Sequence, residues 1–180
     1  MSDLRQSVEE NRGLLKKIEL SIPGFRGYRV REDIRTADNI LRVYIADKME
    51  TEIKKPVEAI REKLTKSLEL DAICDVGECI NQIKGLEAQI RHAEQGYSGI
   101  SPQVRIEEDE LNKIYEFDVT LLARLQDIQL KVQSLDNVVL NNKTNELIME
   151  IDEIKKQLKV FENTFDQRLQ FININDNREG

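Results

Sequence analysis

Leu147-Ile-Met-Glu-Ile-Asp-Glu-Ile-Lys-Lys-Gln-Leu-Lys-Val-Phe-Glu-Asn-Thr-Phe-Asp-Gln-Arg-Leu-Gln-Phe-Ile172 decides the fold class. Its apolar residues Leu147, Ile151, Ile154, Leu158, Phe161, Phe165, Leu169 and Ile172 recur in steps of three and four. That spacing lines one side of an α-helix and is incompatible with the two-residue alternation of a strand. The Asp/Asn-rich stretch Asp136–Lys143 breaks the pattern, although Val138-Val139-Leu140 within it can continue a helix.

The same steps recur upstream. A fourth helix opens on Glu107-Glu108-Asp109-Glu110, acids suited to the positive end of a helix dipole, and runs from Leu111 to Leu135. A third follows Asp71 through Ile73, Val76, Ile80, Ile83, Leu86 and Ile90, and Gly96-Tyr97-Ser98-Gly99 resembles its C-terminal cap. Gly77 and Gly85 weaken this helix, so they predict close packing against a neighbour. A second helix starts near Arg31 and keeps its stripe to Leu68, with Pro56 inside it; the unbroken phase from Ile53 to Val57 to Ile60 predicts a kink rather than a break. The first places Leu4, Val8, Leu15, Ile18 and Ile22 on one side, with Asn11 filling the gap, and stops at Pro23-Gly24.

The expected fold is therefore all-α: an elongated, antiparallel, coiled-coil-like bundle of about five helices. A single domain is expected over residues 1–172, followed by a frayed polar tail over 173–180. Composition agrees. Charged residues make up 34% of the chain against 8 Gly, 3 Pro and no Trp, too few turn-formers and aromatics for a sandwich or barrel.

The 34 acids and 27 bases leave a net charge of −7, which repels nucleic acid and anionic membrane. No apolar run reaches the roughly 18–20 residues of a membrane span. Met1-Ser2-Asp3-Leu4-Arg5 lacks the layout of a signal peptide, so the chain reads as cytoplasmic. Cys74 and Cys79 point roughly 140° apart on a helix and read as two small hydrophobes beside a core. His92 is the single histidine, set in a solvated helix surface; with Gln89 three residues before it, it cannot supply a di-iron motif. Phosphate-loop and dinucleotide fingerprints are missing. The expectation is no catalytic residue, no metal site and no cofactor.

Two connecting segments carry chemistry. Ile22–Arg31 gathers Phe25, Arg26, Tyr28, Arg29 and Arg31 without one acid. Such a patch can grip a phosphate, a carboxylate or a protein partner. On the other reading, Phe25 and Tyr28 fold back to plug the bundle end while the arginines pair with Glu32 and Asp33. Gly96–Ile100 presents Tyr97 in the same two ways, and an antiparallel arrangement brings the two segments to one end. Asp118, one step from the apolar stripe, reads as a solvated or arginine-paired acid with Arg91 nearest. Its alternative is a polar cluster with Glu94 and His92.

Pro23-Gly24-Phe25-Arg26-Gly27-Tyr28, Ala37-Asp38, Ala93-Glu94-Gln95-Gly96-Tyr97-Ser98-Gly99 and Leu111 with Tyr115-Glu116-Phe117-Asp118 resemble a family of small all-helical prokaryotic proteins. That family has Pro-Gly-Phe-x-Gly-Tyr and Gly-Tyr-x-Gly loops and no assigned activity. The resemblance spans most of residues 20–172. It implies a cytoplasmic helical protein, the helix breaks placed above and no catalytic residue; Pro56 departs from the uninterrupted helix it implies.

The leading functional expectation is a non-catalytic interaction or scaffold protein that self-associates or binds a protein partner, with the fifth helix best suited to self-association. A peripheral membrane-surface protein is one alternative, although the polar faces mix acids with lysines. An anionic-ligand receptor or enzyme using the 23–31 and 96–104 loops is the other.

Overall fold

A computed structural model describes residues 13–25, 31–67, 70–93, 108–141 and 143–177. Among them every regular element is helical, so the all-α class holds. In chain order these are α1 (residues 13–21), α2 (Arg31–Lys48), a π-helical segment (Met49–Lys54), α3 (Lys55–Ser67), α4 (Leu70–His92), α5 (Glu108–Leu140) and α6 (Thr144–Asn177).

The described residues fall into two compact units, the first drawn from 1–44, 93–122 and 164–180 and the second from 45–92 and 123–163.

In unit 1, α1 ends in a tight turn. Ile22-Pro23-Gly24-Phe25 closes a turn with the Phe25 N–H donating to the Ile22 carbonyl at 3.3 Å. Pro23 supplies the fixed φ of the turn's second position and Gly24, at φ 85°, the left-handed third position. The turn sends Phe25 into the core beside Ile18 and Ile22. Ala37 and Leu41 of α2, Ile114, Tyr115 and Leu121 of α5, and Phe165 and Ile172 of α6 complete the apolar part. At its rim Phe117 and Phe171 stack obliquely, ring centroids 6.0 Å apart.

Unit 2 is built from two helical hairpins. In the first, α4 packs on α3 and on the π-helical segment. In the second, residues 141–143 join α5 to α6, with the Lys143 N–H reaching back to the Val138 carbonyl. Ile53, Val57 and Ile60 on one arm, Val76, Ile80 and Ile83 on the other, and Ile128, Val132, Ile151 and Ile154 of the second hairpin are all buried. Polar bonds tie the hairpins together: Gln129 donates to Glu52, Lys63 pairs with Asp136, and Gln82 donates to the Lys155 carbonyl.

The backbone stays helical through Pro56. The π-helical turn lies just before it, where the Lys55 N–H reaches the Glu50 carbonyl five residues back. Pro56 has no N–H to give, and it stands where the bonding register changes from five residues back to four. The wide turn also explains the core spacing. Leu41, Ile45, Met49, Ile53 and Val57 are all buried at four-residue steps. On a straight α-helix those steps drift roughly 160° around the axis. One extra residue in the turn returns Val57 to the core side.

α5 runs through Val138–Leu140 and ends inside the Asp136–Lys143 stretch, as the sequence allowed, and α6 extends to Asn177. α4 extends to His92, and the glycine cap placed at Gly96–Gly99 lies outside the described residues. Other expectations need correction. The Gly85 Cα faces open space, and a Cβ on Gly77 would only graze the Arg61 guanidinium at 3.9 Å. Neither glycine is demanded by packing. Cys79 is buried as expected, whereas Cys74 is exposed.

Candidate functional site

The polar centre of unit 1 is assembled by two helical repeats that each place a charge where an apolar residue is due. On α5 the buried set Ile114, Asp118, Leu121 and Leu125 alternates four- and three-residue steps; on α6 Leu158, Phe161, Phe165, Arg168 and Ile172 do the same. Asp118 and Arg168 therefore sit on the seam and are both fully buried. α2 contributes Asp38 and, one turn on, Arg42, also buried.

These four side chains satisfy one another. Arg168 Nε donates to Asp118 Oδ1 at 2.6 Å and its Nη1 to Asp38 Oδ1 at 2.6 Å. Arg42 Nε donates to the other oxygen, Asp38 Oδ2, at 2.8 Å. Arg42 Nη1 then reaches the Ala93 carbonyl at 3.0 Å, just past the end of α4, where a cation suits the negative end of the helix dipole. Two cations and two anions leave the quartet formally neutral. Charges removed from water persist only when paired and hydrogen-bonded in this way.

Sequence reasoning placed Leu169 on the α6 seam and read Asp118 as a solvated or arginine-paired acid with Arg91 nearest. Asp118 is arginine-paired, but through Arg168, and the seam position is corrected. Leu169 is half-buried and Arg168 takes the seam position. Arg91 instead binds Glu87 and Asp47, and those carboxylates raise its pKa by hydrogen bonding. A strict four–three count from Phe165 lands on Arg168, and from Ile114 on Asp118. That count was the available signal, masked because Leu169 and Phe117 are the apolar neighbours.

Of the loop candidates, Phe25 is buried at the end of the turn. Arg26, Tyr28, Arg29 and Tyr97 lie outside the described residues, as does the side chain of Arg31, which opens α2. Glu94, the partner considered for Asp118, lies outside them too, and His92 is exposed. Both loops nevertheless leave from fixed points of the same unit: Phe25 in the core and Ala93 held by Arg42.

Unit 2 has its own charge cluster at Lys155, which faces Glu78 at 3.2 Å and Asp75 at 3.5 Å. Burial pulls the Lys155 ammonium pKa down, but the Glu78 hydrogen bond and the two carboxylate charges outweigh it, leaving the value above the ordinary lysine range. One turn away, burial pushes the Cys79 thiol up to about 12, opposed by the Lys155 charge. It is a packed apolar group, unsuited to act as a nucleophile. Among the described residues no group of three or more His, Cys, Asp or Glu is placed to hold a metal, and no helix is long and apolar enough to cross a membrane. Comparison with protein-family models, curated proteins and solved structures finds no match to this chain.

Proposed function

We propose that this is a non-catalytic helical interaction or scaffold protein, cytoplasmic, that self-associates or binds a protein partner. One observation carries the reading: α5 and α6, of 33 and 34 residues, bury regular seams while leaving large apolar side chains outside. Leu130 and Met149, one on each arm of the unit 2 hairpin, are 57% and 73% exposed. Long helices with a filled inner seam and apolar outer residues suit docking of another helix. The resemblance to the small helical prokaryotic family belongs to this reading.

Sedimentation over a range of concentrations, with pull-down from the native host, tests it. A rising mass or a specific recovered partner is expected, lost on Leu130→Glu with Met149→Glu. A monomer throughout with no specific protein recovered refutes the reading.

A second reading is favoured by the shared anchoring of the loops on unit 1. An anion-binding end formed by Arg26, Tyr28, Arg29, Arg31 and Tyr97 would then receive a carboxylate or phosphate from the partner. Combining Arg26→Ala, Arg29→Ala and Arg31→Ala abolishes partner recovery on this reading and leaves it unchanged if the arginines only pair with neighbouring acids.

A further inference from the structure

The apolar seams of α5 and α6 are regular enough to fit helices other than the ones they meet, and seams of this kind do not by themselves choose a partner. Residues 141–143 keep α5 and α6 together, but α2 is separated from α5 in sequence by all of α3 and α4. The apolar seam of α2 does not by itself choose among the seams it could meet. The buried charges do. Arg168 requires two carboxylates at once, Asp118 from α5 and Asp38 from α2, each at 2.6 Å.

We propose that the Asp38–Arg42–Asp118–Arg168 quartet is a pairing selector, which confines α2, α5 and α6 to one intramolecular register and excludes self-pairing of their buried seams between copies. A parallel pair of α6 helices sets Arg168 against its own copy, and a parallel pair of α5 helices sets Asp118 against its own. Antiparallel self-pairs bury either charge against apolar seam residues. Sliding one helix by a repeat has the same result. Each wrong arrangement strands a charge away from water, which is strongly disfavoured. A single buried polar residue on a helical seam specifies register and oligomeric state in this way, and it costs stability to do so. The selector therefore governs how unit 1 associates and adds little to how tightly it holds. It stands whether or not the protein's partner reading is correct.

The test removes all four charges together, by Asp38→Leu, Arg42→Met, Asp118→Leu and Arg168→Met. Melting followed by circular dichroism is expected to stay cooperative, with Tm no more than about 4 °C below wild type. At matched concentration, sedimentation is expected to give a mass about twice that of wild type, the signature of the commonest closed assembly. Where the mass is unchanged, a second set of amide signals in the 1H–15N spectrum is the other expected mark of lost register. A quadruple variant with wild-type mass and one sharp signal set overturns the proposal. Where it does not fold, two charge-balanced halves decide: Asp38→Leu with Arg42→Met, and Asp118→Leu with Arg168→Met. Folded halves with raised mass or doubled signals sustain the selector. Halves that are unfolded, or folded with wild-type mass and one signal set, overturn it.

Discussion

Arg168 Nε lies 2.6 Å from Asp118 Oδ1, fifty positions apart in the chain, and neither side chain is touched by solvent. A carboxylate and a guanidinium so placed depend on each other far more than unit 1 depends on the pair. Removing one partner leaves the other buried and uncompensated. Arg168→Met alone should therefore destabilise the protein by about 3–5 kcal/mol. Chemical denaturation checks this, and a loss below 1 kcal/mol would mean the stranded aspartates reach water.

The two α4 glycines predict a gain. Gly85→Ala adds a Cβ into open space and removes a helix-weakening residue, so it should stabilise by about 1 kcal/mol. Gly77→Ala meets Arg61 only at ordinary contact distance and should stabilise by a similar or slightly smaller amount. Gly24→Ala has equal space, but it must adopt φ 85° and should destabilise. Thermal melts of the three variants read all three signs.

Thiol chemistry should separate the cysteines. Cys74 is exposed and reacts with a maleimide in the native state, whereas Cys79 reacts only after unfolding. Native labelling of one thiol per chain is expected, and two would contradict the burial of Cys79.

The raised Cys79 pKa also has a pH signature. Unfolding returns the thiol from about 12 to 9.0, so between those values the unfolded chain has released a proton that the folded chain keeps. The contribution is fully present below pH 9 and is lost as pH rises toward 12. The loss runs on the order of 1 kcal/mol per pH unit. Denaturation from pH 8 to 10.5 should show this slope in the wild type and a shallower one in Cys79→Ala.

The π-helical turn predicts tolerance of a deletion. Deleting exposed Thr51, with Pro56→Ala to remove the ring, turns the spacing between Met49 and Ile53 into an ordinary three-residue step. Cooperative unfolding should survive. Deleting exposed Gln126 from α5, where no wide turn absorbs the change, should throw its seam out of phase. That variant should lose several kcal/mol or fail to fold. Equal sensitivity at both positions would show that the turn is not a reservoir for an added residue.

Helix class and position were readable because burying an apolar seam imposes its own periodicity on the chain. α6 could be placed from Leu147 to Ile172 with no knowledge of its neighbours, and the turn at Pro23-Gly24 from two residues whose dihedral preferences are intrinsic. Helix ends were less legible. Asn and Asp at positions 136–141 suit a break in isolation, yet Val138 and Val139 are half-buried and the helix continues past them. The run of four-residue steps from Leu41 to Val57 was visible, but its meaning, a π-helical turn, appears only once all five side chains prove buried together.

Which charges pair in the polar centre is decided by the tertiary structure. An aspartate or arginine on a helix is soluble by default, and its sequence neighbours say nothing about a counter-charge fifty or a hundred and thirty positions away. Asp38, Asp118 and Arg168 become a core only because three helices meet around them. Hydrophobic periodicity is a local property that each segment carries with it. Pairing of buried charge is a property of the assembled unit, since the desolvation that makes it decisive arises only after the helices have packed.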